Sequence, residues 1–519
     1  MTTKEDSFPV EQSADDILDV GHLKQDLKGR SIRAGAATML GQAIKFMIRL
    51  CSIAVLSRLL TPKDFGLVAM VAVFTEFILM FKDMGLSTAT IQREDVSHAQ
   101  ISTLFWINAA IGLMLAVITA ASAKAISLFY KEPRLTAVTA VLAIGLLFGG
   151  LTIQHEALLK RKMRFSLLAV IEVITLTIGV SAGIISAVLK AGYWSLVLMQ
   201  LSTSASYAVG VWIVSGWRPG RPRLRSGIRS MLNFGWNIVG YRMVSYVSRY
   251  TDHILLGRFG GTFVLGLYSR AYSLLMLPLS QITWPLTSVA IPALSRIQNE
   301  PRRYLSYYMK MIQLMSFISM PITILMAICS KSVINVVLGS QWTGASLIFQ
   351  ILAITAFIQP LSSTAGIVLL SLGRGDRLLR YGIINSVFLV ISFAIGVHWG
   401  AVGIAVGYAV SSYLLLFPLL WYCFRDTPVS VKASIATIYR PVIVSVITAL
   451  AVMYISSYLY NMSDIVIVVI SFIIAVPLYL FIWFLIPGGR QVLQDFIGYI
   501  KTILPKNIPS KIESKIAHN

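Results

Sequence analysis

Charge is what this sequence has least of: Asp, Glu, Lys and Arg make up 13% of its 519 residues, against about 25% in soluble domains. With 56% hydrophobic residues and a mean hydropathy of +0.75, the deficit excludes a water-soluble globule and points to lipid as the solvent. Cysteine is scarce too. The three present, Cys51, Cys329 and Cys423, are odd in number and lack metal-ligand spacing, which excludes a disulfide framework and a zinc site. All three fall in apolar stretches and read as reduced packing residues. The six histidines are scattered and suggest no ligand set. No GxxxxGK[ST] phosphate loop occurs, so the chain carries no P-loop ATPase of its own. No cofactor is expected. The early acids Glu5, Asp6, Glu11, Asp15 and Asp16 oppose the basic start of a signal peptide, so the first apolar span is expected to be retained.

What is present is a succession of apolar stretches. Crossing about 30 Å of hydrocarbon takes roughly 20 helical residues, and hydropathy with flanking charge gives about 14 such spans. They start near Gly35, Asp64, Ala99, Leu135, Phe165, Gly192, Met231, Gly261, Tyr304, Gly344, Leu378, Ala401, Ile435 and Asp464. Lipid leaves backbone groups no outside partner, and the alternation of barrel strands is absent, so the spans must be helices. The expectation is an all-α integral membrane protein of two pseudo-symmetric six-helix lobes plus two C-terminal helices. Its parts are a cytoplasmic tail (1–34), an N-lobe (35–215), a basic linker (216–230), a C-lobe (231–424), a last pair of spans (435–486) and a cytoplasmic C-terminal tail (487–519).

The net charge of +22 is explained by its placement. Lys and Arg gather on every second loop, among them Lys160 to Arg164, Arg218 to Arg229 and Arg374 to Arg380. With the tails counted, roughly 30 basic residues fall on one side against roughly 7 on the other, a positive-inside bias that puts both termini in the cytoplasm. The basic charge therefore marks orientation, and no nucleic acid partner is implied. Beyond the last span, Val492, Phe496, Ile497, Ile500 and Ile503 recur at helical spacing, the pattern of an amphipathic helix on the membrane surface.

One offset of 200 residues pairs Arg49 with Arg249, Arg58 with Arg258, Gly66 with Gly266 and Leu67 with Leu267. Each set ends one span and begins the next. Parallel six-helix repeats are a known transporter architecture, with the substrate site where the repeats meet.

Ionisable groups inside spans are costly, so each is a functional candidate. In the first span Gln42, Lys45, Arg49 and Ser52 share one helical stripe, and Arg242, Ser245, Arg249 and Asp252 repeat it in the seventh. Two such stripes facing one another, with Arg270 nearby, suit an anionic headgroup, because guanidinium groups grip phosphate oxygens bidentately. Snorkelling of Lys45 and Arg242 to the interface is the plainer reading. Asp252, three residues after Arg249, is expected to pair with it, and is also a possible coupling acid. Glu76, mid-span with no cation at helical spacing, is a candidate coupling acid or a partner of Lys45 or Arg49. Glu172 is a weaker candidate of the same kind. Pro278, Pro285 and Pro292 recur on nearly one face of a span as a bending element or a static kink.

The runs SRLLTPKDFGLVAMVAVF (Ser57 to Phe74), DMGLSTATIQRED (Asp83 to Asp95), DHILLGRFGGTFVLGLYSRAYSLLMLPLSQ (Asp252 to Gln281) and VVLGSQWTGA (Val336 to Ala345) resemble the Wzx-type polysaccharide flippases, in the branch of colanic acid and succinoglycan exporters. The resemblance runs from about Gly35 to Pro487. It implies the multidrug/oligosaccharidyl-lipid/polysaccharide exporter fold, an undecaprenyl-pyrophosphate-linked oligosaccharide as substrate, and Lys45, Arg49, Arg249 and Arg270 as cavity contacts. Membrane lipids, and a polysaccharide polymerase with chain-length proteins, are the expected partners. The early spans lack the denser arginines of the related lipid II flippases, which argues against a peptidoglycan role. Competing readings are an ion-coupled drug exporter of the same superfamily, a membrane polymerase or ligase, and a non-transporting scaffold.

Overall fold

The computed structural model describes residues 27–82, 87, 90–91, 96–222, 246, 249–459 and 461–503, with the backbone alone at 27–37, 497 and 499–503. Helix follows helix: α1 (Leu27–Leu59), α2 (Pro62–Leu79), α3 (His98–Tyr130), α4 (Leu135–Leu142), α5 (Ile144–Arg161), α6 (Phe165–Val188) and α7 (Trp194–Ser215). A helical stretch at 249–255 then passes through a π turn (Leu256–Gly260) into α8 (Gly261–Arg296), followed by α9 (Pro301–Ile328) and α10 (Ser330–Val337). After a 3-10 turn (Ser340–Ala345) come α11 (Ser346–Phe357), α12 (Gln359–Ser371), α13 (Gly375–Gly396), α14 (Gly400–Phe424), α15 (Val431–Tyr458), α16 (Asp464–Leu485) and α17 (Gly489–Ile503).

Among the described residues, ten helical stretches are long and apolar enough to cross a membrane, or eleven if α11 and α12, bent by 48° at their junction, make one span. The stretch 375–424 holds both α13 and α14, broken at Val397–Trp399. The expected count of 14 also includes a span from Met231, whose first part lies outside the described residues.

Local chemistry sets the helix ends. Pro62 begins α2, where a missing N–H costs nothing, and the Thr61 backbone N–H and hydroxyl both donate to Asp64 Oδ2, at 2.9 and 2.6 Å. Ser97 and Gln100 close a reciprocal cap on α3. In the turn after α3, Arg134 donates two 2.8 Å bonds to Glu132. These hydrogen bonds hold the Glu132 carboxyl below its usual range.

Contacts divide the chain into two compact units. The first comprises residues 1–277, 337–349 and 379–411. Its helices pack through small residues, as expected where lipid provides no hydrophobic drive between helices. A Cβ on Gly112 of α3 would lie 2.9 Å from Gly150 Cα of α5. The start of the basic linker is pinned to α3: Trp217 is buried, Trp106 donates to the Gly220 carbonyl at 2.9 Å, and Gly220 donates to Ser102 at 2.9 Å. Residues 223–230 of that linker lie outside the described residues.

The second unit comprises 278–336, 350–378 and 412–519. Here the last two spans lie on α9: Tyr479 donates to the Phe317 carbonyl at 2.9 Å, and Phe317, Val444, Tyr479 and Trp483 form one apolar cluster. The amphipathic expectation at the C-terminus is met by α17, whose Val492 and Phe496 pack against that cluster. Pro278, Pro285 and Pro292 all lie inside the single helix α8. Of the cysteines, Cys329 and Cys423 are buried as expected, but Cys51 is exposed on α1. A helix with one face packed leaves the residue on its other face outward, whatever its polarity.

Candidate functional site

The offset of 200 residues has a spatial meaning. A Cβ on Gly66 of α2 would lie 1.7 Å from the Thr262 carbonyl oxygen and 2.9 Å from the Gly266 nitrogen, and one on Gly266 of α8 would lie 1.9 Å from the Pro62 carbonyl oxygen. Residue 66 touches 262 and residue 266 touches 62. This reciprocity is what a two-fold relation between equivalent segments requires. The two helices cross backbone on backbone, a distance that only glycine permits.

The crossing is reinforced from the side by the 3-10 turn. Trp342, with no solvent exposure, donates its indole N–H to the Ser57 carbonyl at 2.7 Å. Gln341 Nε2 donates to the carbonyls of Ser57 at 2.5 Å and Leu60 at 3.2 Å. These carbonyls end α1, where no further turn of helix is available to bond them. The Trp342 ring meets Phe65 edge-on at 5.5 Å, and Arg270 Cζ lies 3.9 Å from the centre of the same Phe65 ring. Guanidinium on its face and indole at its edge thus hold the Phe65 ring beside the crossing. Arg270 is therefore turned to Phe65, with its buried Nε unpartnered.

The other expected residues separate into distinct settings. Lys45, 8% exposed, forms an ion pair with Glu172 of α6. That pairing takes the place of the expected one with Glu76 on α2. The reason is helical phase: Lys45 and Ser52 face α6 and α7, where Ser52 lies 3.9 Å from Met199 sulfur, whereas Arg49 points away and is exposed. The stripe read as one face therefore divides, and Glu172 serves as the counter-charge of Lys45. Arg249 is exposed like Arg49. Arg242 and Ser245 lie outside the described residues.

Asp252 does not pair with Arg249. Its Oδ1 accepts from the His253 backbone N–H at 2.7 Å and lies 2.8 Å from His253 Nδ1, and its Oδ2 accepts from the Tyr268 hydroxyl at 2.8 Å. The π turn folds the chain so that α8 brings Tyr268 back to Asp252, and the carboxylate is satisfied away from the preceding turn. Tyr246 donates to the Val73 carbonyl of α2, and its ring lies 5.1 Å from Phe77. Sequence reasoning missed Phe65, Gln341, Trp342, Tyr246, His253 and Tyr268. Two signals were available: the motif containing Gln341 and Trp342, and the aromatic residues beside each member of the 200-residue repeat.

A family profile described as polysaccharide biosynthesis protein matches residues 55–347, a stretch that contains the crossing, its stack and the turn beside it. The chain belongs to the polysaccharide biosynthesis protein family. Relatives of the family include the teichuronic acid biosynthesis protein TuaB of Bacillus subtilis, 28% identical over 64% of this chain and 69% of its own length. The lipopolysaccharide biosynthesis protein WzxC of Escherichia coli is 21% identical over 77% and 84%. The succinoglycan biosynthesis transport protein ExoT of Rhizobium meliloti is 24% identical over 80% and 85%. The resemblance to Wzx-type and succinoglycan exporters thus stands.

Solved structures share the fold. A lipid II flippase MurJ in an inward closed conformation superposes with a TM-score of 0.69 over 90% of this chain and 100% of its own, at 13% identity. An inward-facing multidrug resistance MATE family transporter of the MOP superfamily does so with 0.60 over 76% and 98%, at 15% identity. The family member described here is accordingly an all-helical, multi-pass membrane protein with a transporter fold.

Proposed function

We propose that the protein is a flippase that moves undecaprenyl-pyrophosphate-linked oligosaccharide units across the bacterial inner membrane by alternating access, for exopolysaccharide or lipopolysaccharide synthesis. The observation that carries this reading is the reciprocal crossing of α2 and α8 within a polysaccharide biosynthesis sequence on a flippase fold. A closure made of two equivalent helices, clasped by Arg270 of α8 over Phe65 of α2 and flanked by the 3-10 turn bonded to the end of α1, is a contact that can part and re-form. The bias of basic residues supports cytoplasmic termini, and with that orientation the crossing, near residues 60–66, faces the outer side.

Arg49 and Arg249, equivalent in the repeat and both exposed on their helices, are the cations we assign to the pyrophosphate headgroup. Lys45, Arg242 and Arg270 take supporting parts, Lys45 through Glu172 and Arg270 through its stack on Phe65. Energy coupling falls to Glu76, a carboxyl within α2, and Asp252, in its bonds to His253 and Tyr268. The two six-helix lobes, 35–215 and 231–424 joined through 216–230, are the bodies that rock. A polymerase and chain-length proteins would receive the product. No bond of the sugar is made or broken, which distinguishes this reading from a polymerase or ligase.

The test is flipping of a fluorescent lipid-linked oligosaccharide by purified protein in vesicles. The expected result is label transfer between leaflets with no change in sugar chain length. A chain-length change, or transfer no faster than in protein-free vesicles, overturns the reading.

A further inference from the structure

The imidazole of His253 stands in a setting suited to a cation. It belongs to the helical stretch at 249–255, just before the π turn that leads into α8. Its Nδ1 lies 2.8 Å from Asp252 Oδ1. Three tyrosine rings surround it: Tyr268 at 5.6 Å, Tyr250 at 6.1 Å and Tyr272 at 6.3 Å between centroids, inclined to the imidazole plane by 79°, 65° and 89°. Tyr268 and Tyr272 both come from α8 and stack on one another. The side chains of His253 and Asp252 are 15% and 7% exposed, so the pair is withdrawn from bulk water without being sealed from it.

The hydrogen bonds divide the roles. A carboxylate only accepts, so the Asp252 contact puts a proton on Nδ1 and leaves the lone pair of the neutral ring on Nε2. Asp252 also accepts from the His253 backbone N–H and from the Tyr268 hydroxyl. Three donors already converge on this carboxylate, and a proton added there would be set against them. Uptake at Nε2 disturbs none of the three. Hydronium gives its proton to the ring and leaves as water, and the imidazolium keeps its bond to Asp252 while its charge meets the carboxylate and the tyrosine rings.

The neighbouring elements fix the electrostatic balance. On the same stretch Arg249 opposes the imidazolium and Asp252 favours it. Helix α2, reached through the Tyr246 ring 4.7 Å from Tyr250, adds Glu76. Helix α3 adds Tyr130, against Gly257, and α14 adds Tyr408, near Asp252. His398, in the 3-10 turn before α14, is exposed and bonded to the Ile395 carbonyl. Phenols ordinarily ionise near about pH 10, so the tyrosines act as neutral walls.

We infer that His253 carries the coupling proton as an imidazolium, with Asp252 as its fixed counter-charge and Tyr268 as the positioning residue that ties the pair to α8. On that helix Tyr268 follows Gly266, at the crossing, within one turn and precedes Arg270, on Phe65. Loading the ring therefore alters the contacts of the same helix that forms the closure. The word coupling rests on the flippase reading; the titrating pair does not.

The test uses the full-length protein. In nanodiscs, imidazole NMR on isotope-labelled histidine separates imidazole from imidazolium, and the His253 signal is the one absent from His253→Gln. Expected is a reversible change between the two forms within about pH 5 to 8, which in Asp252→Asn requires a pH lower by about one unit because the counter-charge is gone. Tyr268→Phe removes one donor, keeps the ring and should move the change less. In vesicles, flipping of a fluorescent lipid-linked oligosaccharide is driven by an imposed pH gradient. His253→Gln should lose the response to the gradient at every pH, and Asp252→Asn should regain part of it on acidification. Melting temperatures check that each fold is kept, and His253→Asn serves in place of a His253→Gln protein that melts early. The opposite pattern, a response kept in His253→Gln and lost at every pH in Asp252→Asn, makes the carboxyl the carrier and overturns the inference. So does a His253 signal fixed in one form over that range, or flipping that follows a sodium gradient and ignores pH. Titration of His253 in a wild type that flips nothing counts against the flippase reading and leaves the proton site standing, and flipping with His253 fixed in one form does the reverse.

Discussion

One methyl group placed at the crossing of α2 and α8 tests whether that contact is a closure. In Gly66→Ala the new Cβ would sit 1.7 Å from the Thr262 carbonyl oxygen, whereas non-bonded heavy atoms settle at roughly 3.5 Å. The helices must therefore part by nearly 2 Å. Both sides of the clash are backbone, so no rotamer change relieves it, and the cost belongs at the upper end of the about 1–3 kcal/mol typical of overpacking. At about 1.4 kcal/mol per decade, the closed state loses roughly two decades of population relative to an open one. Trp342→Phe is the graded companion. It keeps the ring on Phe65 but removes the 2.7 Å bond to the Ser57 carbonyl, which Gln341 still donates to. One hydrogen bond of about 1 kcal/mol corresponds to roughly a fivefold shift.

The assay is the rate at which a cysteine in Leu67→Cys reacts with an impermeant maleimide, in a Cys51→Ala background because Cys51 is exposed. Leu67 is fully buried behind the crossing. Labelling should accelerate by one to two decades with Gly66→Ala and several-fold with Trp342→Phe. If both leave the rate unchanged while the melting temperature matches the parent, the crossing is a fixed structural contact and the reasoning fails.

Replacing Arg49 or Arg249 by Ala should abolish vesicle transport with membrane insertion intact, and Lys should restore it only in part because it lacks the bidentate fork; full activity of both Ala variants removes them from the headgroup. Glu76→Gln and Asp252→Asn should lose gradient-driven accumulation but keep slow exchange down the substrate's own gradient, and unchanged accumulation in both places coupling elsewhere. Glu132, its carboxyl held below the usual range by the bonds from Arg134, contributes stability that is present above its unfolded value and is lost as pH falls through the folded one. Wild type should therefore melt above Glu132→Gln at neutral pH, by an amount worth under about 1 kcal/mol for so exposed a pair, with the gap closing below about pH 4; a gap that widens with acid contradicts the assignment.

Helix positions were legible because hydrocarbon imposes one rule on every backbone group it surrounds. Starts near Phe165, Ala401 and Asp464 were readable from hydropathy, and α6, α14 and α16 begin within a residue of them. Side-chain partners were not legible in the same way. The pairing of Asp252 with Arg249 followed from helical spacing, yet Asp252 is bonded to its neighbour His253 and to Tyr268, sixteen residues on. Spacing along one helix gives the candidates, and a second helix supplies the competitor. Lys45 gives the same lesson, since its alignment with Arg49 held in sequence while the packing of α6 took one of the two cations.

By itself the sequence determined the solvent, the class of fold and the repeat. Composition alone settles whether a chain can dissolve in water, and a constant offset between halves survives without coordinates. The tertiary structure decided what the repeat is for. That Gly66 and Gly266 meet, that Trp342 reaches back to the end of α1, and that Lys82 lies across Gly149 depend on distances between helices far apart in sequence. Such distances are fixed by the packing of whole helical faces, in which each side chain's partner is chosen jointly with all the others.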